Sequence, residues 1–270
     1  MLFNLYIGID YSGSASPIDR PSNIAFYLTH LKNAPSPVFP CDFPFNNTTA
    51  KNWSRTDLAR TLTNILNTKS SHRIVIGLDH GFSFPIDYFR RNLITSYPEF
   101  LSQYHTLWQQ DQLDLNPDKN ERRTQYKTRK QHRISHAGHP NEKRITEKRS
   151  GSAASVFDYE NCQRNVAFST HEGIPWLHQL RDNCPNLHFW PFDGFDISKT
   201  QKHVILEAYP ALYKHKYKTN LKADARDANA IVKWLQEQDQ NQQLATFFSP
   251  LLTKEEREIA LLEGWILGVQ

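Results

Sequence analysis

Leu5-Tyr6-Ile7-Gly8-Ile9-Asp10 is an unbroken apolar run that ends on an acid and then turns through Tyr11-Ser12-Gly13-Ser14. Ile74-Val75-Ile76-Gly77-Leu78-Asp79 repeats the grammar, with a Gly two residues before the acid and the turn His80-Gly81-Phe82-Ser83-Phe84-Pro85 after it. Runs of this kind read as strands buried on both faces, the situation of a sheet with helices on each side. Between them, Asn23 to Thr29 reads as a second strand and Pro37 to Phe43 as a weaker third, with Pro40 confining it to an edge or a bulge. Ser54 is placed as an N-cap ahead of Leu58, Leu62, Ile65 and Leu66 at helical spacing. The order through residue 80 is β-β-β-α-β, so the class is α/β, a mixed sheet flanked by helices.

Working outward, Phe89, Leu93, Phe100, Leu101, Tyr104 and Trp108 predict one or two helices. A segment poor in apolar residues follows. Residues 86–152 read as an insertion between the fourth and fifth core strands, with a basic stretch at 118–150 whose order depends on a partner. Ile174, Trp176, Leu177 and Leu180 predict a helix, and Leu187 to Phe192 an aromatic strand. Val204-Ile205-Leu206-Glu207 is a further strand ahead of Tyr209-Pro210. Asp224-Ala225-Arg226-Asp227-Ala228 opens a helix, and a last one is capped by Thr253 with Glu256 and runs through Leu261, Leu262 and Ile266. The 270 residues suit a single domain over 1–270.

No apolar run approaches the roughly 18 to 20 residues that span a bilayer. Met1-Leu2-Phe3 runs directly into the first strand and reads as core, not as a signal peptide. Three cysteines, Cys41, Cys162 and Cys184, are odd in number and widely spaced. No disulfide framework or zinc set follows from them, and a reducing, cytoplasmic setting is expected. Net charge is +4, but 118–150 holds eleven Lys and Arg against four acids, +7, which leaves −3 for the rest. Within that block Arg122, Arg123, Lys127, Arg129, Lys130, Arg133, Lys143 and Arg144 form the expected footprint of a polyanion binder. A solvated, mobile insertion is the competing reading.

Acids at strand ends have little structural use there beyond turns and caps. Asp10, Asp79 and Glu207 all end strands, and Asp224 and Asp227, three apart, share a helix face. Capping suits Asp224 better than Asp227. Several unpaired carboxylates at one sheet edge repel by kcal/mol amounts unless cations stand between them. The all-oxygen set favours Mg²⁺ or Mn²⁺ over zinc. In a two-metal site the ions lie about 3.5 to 4 Å apart and clamp the attacking and leaving oxygens, with no histidine base required. His80 is read as a hydrogen-bonded turn residue. The tryptophans read as core, with base stacking open only to exposed ones.

The strand order, with acids after the first and fourth strands and on a later helix, resembles the ribonuclease H-like fold. Ala223-Asp224-Ala225-Arg226-Asp227-Ala228 resembles the helix motif of Holliday-junction resolvases of the RuvC type. Closer still, the chain resembles the DUF429 family of predicted nucleases. The resemblance is carried by Ile7 to Gly13, Gly77 to Pro85, Arg144 to Glu147, Ser169-Thr170 with Gly173 to Leu177, His188 to Gly194, Glu207-Ala208-Tyr209-Pro210, Asp227-Ala228 and Glu263 to Ile266. It covers nearly the whole chain outside the middle of the basic block. It implies that Asp10, Asp79, Glu207 and Asp227 are acidic motif positions, with Asp224 an additional metal ligand. Arg144 is implied to hold a phosphate or to pair with Glu147.

The leading expectation is therefore a Mg²⁺- or Mn²⁺-dependent nuclease acting on DNA or RNA through Asp10, Asp79, Glu207 and Asp227. The alternatives are a non-catalytic nucleic-acid or protein-binding module on the same fold, and an actin-like ATPase or kinase. The last needs a second phosphate loop and a duplicated domain, which the sequence lacks.

Overall fold

The first 80 residues form β1 (Leu5–Asp10), β2 (Ala25–His30), β3 (Ser36–Pro37), α1 (Arg55–Asn67) and β4 (Ile74–Asp79), in the expected order. The computed structural model of the chain describes residues 1–160 and 166–270, and Lys119 by its backbone alone. Cys162 and the side chain of Lys119 lie outside the described part. Next come α2 (Ile86–Arg91), α3 (Tyr97–Gln110), α4 (Lys119–Ala137), α5 (Ile145–Ser150) and α6 (Val166–Asn183). After β5 (Leu187–Phe189) and β6 (His203–Glu207), the chain ends in α7 (Ala223–Gln240), α8 (Leu244–Phe247) and α9 (Lys254–Glu263). The described strands make one mixed sheet, ordered β3-β2-β1-β4-β6-β5. β2 is antiparallel to β1 and β3, while β1, β4, β6 and β5 run parallel.

Alternation along the strands builds two cores. Ile7, Ile9, Ile76 and Leu78 pack with Leu58 and Leu62 of α1, Phe100 and Tyr104 of α3 and Ile174 of α6. Tyr6, Val75, Val204 and Leu206 face the other way, onto Ala228, Ile231, Val232 and Leu235 of α7. Burial on both faces is why β1 and β4 carry no polar alternation.

The glycine two residues before each acid has a packing role. Gly8 and Gly77 are register partners on adjacent strands. A Cβ on Gly8 would stand 2.5 Å from the Ala228 carbonyl oxygen, and one on Gly77 2.6 Å from the Ile231 side chain. The two glycines thus make a shallow seat on which α7 lies directly against the sheet. From that seat Asp10 is two strand steps on, roughly 7 Å. Asp224 is four helix steps back from Ala228, roughly 6 Å. The same edge therefore receives both sets of acids. Gly8→Ala is expected to lower stability by about 1–3 kcal/mol in a denaturant titration, because the added methyl meets helix backbone and α7 must move. Unchanged stability would mean that the seat does not set the helix position.

Three expectations are corrected. The third strand is only Ser36–Pro37, because Pro40 and Pro44 each start a short 3₁₀ turn with φ fixed and no N–H to give the ladder. β5 stops at Phe189, whose N–H is taken by the Asp193 carboxylate as the chain turns. The basic block holds two helices, α4 and α5, and α4 is capped by Asp118, which accepts from the Asn120 and Glu121 N–H groups. Its inner face is Tyr126, Lys130, Arg133, Ile134 and Ala137, all buried. Ser54 and the Thr253/Glu256 capping box stand as expected. No described helix is long and apolar enough to cross a membrane.

Candidate active site

A cavity of about 740 Å³ opens at the carboxyl ends of the parallel strands, lined by Asp10, Asp79, Glu207, Asp224 and Asp227 together with Arg144 and Lys214. Asp10 is opposite Asp79 in the β1–β4 register, and Leu78 is opposite Glu207 in β4–β6. Burial holds the Asp10 carboxyl well above the usual carboxylate range, and Asp79, Asp224 and Asp227 push it further, with Lys214 opposing. Burial also raises Asp79, to about 8, with Asp227 and Glu207 adding and Lys214 opposing. The site therefore holds more buried negative charge than its own cations offset.

Two of the acids already have cationic partners. Lys214 Nζ lies 2.6 Å from Asp227 Oδ2, and Arg226 Nε 3.3 Å from its Oδ1. Arg144 grips Glu207 with both ends of its fork, Nη1 to Oε2 at 2.7 Å and Nη2 to Oε1 at 2.6 Å. The same guanidinium donates from Nε to Glu147 at 2.7 Å and from Nη1 to the Glu263 carbonyl at 3.1 Å. Arg144, Glu147 and Glu207 are all buried. Bidentate geometry and full hydrogen bonding are what make such a buried cluster tolerable. Glu207 is thus held as a structural anion at the cavity wall, and Arg144 is committed inward, not free on a surface.

A second buried polar cluster lies behind the turn after β1. Glu172 of α6 accepts from Arg55 Nη2 at 3.1 Å and Arg133 Nη2 at 2.8 Å, and from the Tyr126 hydroxyl. Arg55 also donates to the Ser12, Ser14 and Ala15 carbonyls at 3.0, 2.8 and 2.9 Å. Lys130 Nζ donates to the Gly13 carbonyl. Burial pulls the Lys130 ammonium down to about 8 against the opposing pull of Glu172. Each peptide here is trans, so its N–H points opposite to its C=O. With four successive carbonyls drawn onto buried cations, the Gly13 and Ala15 N–H groups face away from them. Ser12, Gly13 and Ser14 line the cavity. Such a turn can accept an anion beside Asp10.

The remaining sequence-predicted cations divide. Arg123 and Lys127 are exposed. Arg122 stands 3.7 Å from Asp19. Arg129 donates to the Asp111 and Leu113 carbonyls, and Lys143 to the Ala153 carbonyl at 2.9 Å. Arg133 is buried against Glu172 and Asp111. The +7 block is therefore no continuous basic surface. His80 is buried, with Nδ1 2.8 Å from the Gly81 carbonyl, and burial lowers its pKa to about 4, so it is neutral near pH 7. All the tryptophans are buried, which leaves none for base stacking.

Among the described residues no three His, Cys, Asp or Glu side chains are grouped as a ready-made metal cage. A Mg²⁺ site does not need one, since that ion is commonly held by one or two carboxylates with waters and substrate phosphates. Asp10 and Asp79 fit that demand in donor type and charge, with Asp224 and Asp227 behind them. Lys214, Arg55 and Glu172 were not foreseen as site residues. Lys214 follows an acid-bearing strand by seven residues, and that nearness was the only available signal. Comparison with protein-family models, with curated proteins and with solved structures finds no match to this chain.

Proposed function

We propose that the protein is a Mg²⁺- or Mn²⁺-dependent nuclease of ribonuclease H-like architecture, hydrolysing phosphodiester bonds in the cavity at the ends of β1 and β4. The observation that carries this reading is the juxtaposition of Asp10 and Asp79 on adjoining parallel strands under the first turn of α7. A sheet in which only β2 runs against the others, with β1 central, supports the architecture. A bound divalent ion supplies Lewis acidity toward water and phosphoryl oxygens at neutral pH. Asp10 and Asp79 hold it, Asp227 and Asp224 complete its field, and Glu207 positions the Arg144 side of the cavity. The turn Ser12-Gly13-Ser14 receives a phosphoryl oxygen through the Gly13 N–H, since the Ser12 hydroxyl donates to Ser14 and the Ser14 hydroxyl to Asn23.

A polyanion-binding module without catalysis is the second reading, favoured by the Lys214–Asp227 and Arg144–Glu207 pairs that already neutralise two acids. A cleavage panel over single-stranded, duplex, hybrid and branched DNA and RNA, with Mg²⁺, Mn²⁺ or chelator, separates them. Cleavage that disappears in chelator is expected. Binding without cleavage under either metal would favour the second reading.

A further inference from the structure

We propose that the phosphodiester backbone is held by the lysine-rich rim between β6 and α7, Lys214 to Lys222, and not by the exposed face of α4. The proposal rests on the nuclease reading of the cavity and names the surface that delivers the substrate to it. The connection starts just after Glu207 and ends just before Asp224, and both acids line the cavity. The segment joining them leaves the acidic edge through Tyr209, Ala211 and Lys214, which line the cavity, and returns to it at Asp224, two residues after Lys222.

Its sequence is Lys214-His215-Lys216-Tyr217-Lys218-Thr219-Asn220-Leu221-Lys222, four lysines and no acid in nine residues. Lys214 is spent on Asp227 at 2.6 Å. Lys216, Lys218 and Lys222 are exposed and make no ion pair among the described residues. Lys222 also stands at the N-cap of α7 with no side-chain cap bond. A helix start favours a hydroxyl or an acid there, so local helix stability does not explain this cation. Three unpaired positive charges spread along this connection match a repeating anion better than one isolated phosphate. They also answer an electrostatic need, because the acids at the cavity floor repel a polyanion.

The α4 face is a poorer candidate on the same grounds. No described α4 residue lines the cavity, whereas the rim begins at Lys214, which does. Lys130 and Arg133 are turned into the Glu172 cluster, which leaves Arg123 and Lys127 as its exposed cations of known placement.

Fluorescence anisotropy of labelled single-stranded and duplex DNA and RNA, in chelator across a salt series, tests the assignment without catalysis. For Lys216→Gln/Lys218→Gln/Lys222→Gln the slope of log affinity against log salt is expected to fall by about 2 on single strands and nearly 3 on duplex, about 0.7 and 0.9 per lost contact. Arg123→Gln/Lys127→Gln is expected to leave the slope unchanged. The proposal is overturned if the lysine variant keeps the wild-type slope, if the α4 variant loses it instead, or if wild type binds none of the strands. All the changed side chains are exposed, and circular dichroism checks that both variants fold. Lysine-dependent binding with no cleavage under Mg²⁺ or Mn²⁺ removes the nuclease reading alone. Metal-dependent cleavage with a lysine-independent slope removes the rim alone.

Discussion

Asp79→Asn is expected to lose metal-dependent cleavage by about 10³-fold or more in kcat/KM, the scale on which removal of one group stabilising transition-state charge is felt. In chelator at pH 8 the same variant is expected to be more stable than wild type. Asp79 is half-buried beside Asp10, and its carboxyl is raised to about 8 by desolvation first and by Asp227 and Glu207 next. An unfolded Asp titrates near about 3.9, so between those values the folded chain holds a proton that the unfolded chain has released. The associated stability is full below the lower value and is lost as pH rises through the upper one. Each unit of raised pKa corresponds to roughly 1.4 kcal/mol. His80 acts with the opposite sign, since burial lowers it to about 4 and its contribution is lost as pH falls below the ordinary histidine value. From pH 8 down to about 6.5 the carboxylate effect therefore acts with little opposition from histidine. Melting of the metal-free wild type should rise over that interval and melting of the Asn variant should stay nearly flat. A variant that melts below wild type at pH 8 in chelator would show that Asp79 is stabilising as a carboxylate and remove this account.

Glu172→Ala is expected to destabilise the protein by about 3–5 kcal/mol, the range seen when one partner of a buried ion pair is deleted. Glu172 is fully buried and receives Arg55 and Arg133, with Tyr126 as a third donor. Its carboxyl is held below the usual range because Arg55, Lys130 and Arg133 outweigh the burial that opposes them. Without it, Arg55 and Arg133 lose their shared anion in the interior, and the carbonyls of Ser12, Ser14 and Ala15 lose the rigid support of Arg55. The contrast is Asp87→Ala, which removes the solvent-exposed Arg90–Asp87 pair and should change stability by no more than about 0.5 kcal/mol. Urea titration of both variants decides the matter. Similar small losses in the two would mean that the Glu172 cluster is wet and screened, contrary to the burial seen here.

Apolar periodicity made β1, β2, α1, β4 and the caps at Ser54 and Thr253 legible, because burial of a whole face and capping by a neighbour three residues away are local demands. The acids at the strand ends were legible for the same reason, as charges closing runs that otherwise avoid charge. The failures over the cations share one cause. α4 carries few apolar residues because its buried face is built from Tyr126, Lys130 and Arg133, and what admits those groups is Glu172, about 40 residues further along. Arg144 read as a phosphate ligand or as the partner of Glu147; the Glu147 pair is present, and what the local pattern missed is the fork onto Glu207, 63 residues away. Only the tertiary structure decided which cations turn inward, since a buried charge is tolerable only where the fold brings its counter-charge to hydrogen-bonding distance. The sequence by itself determined where strands end in acids and where helices begin. The glycine seat under α7, and with it the meeting of Asp10 and Asp79 with Asp224 and Asp227, came from packing between elements some 220 residues apart, a relation that no local pattern encodes.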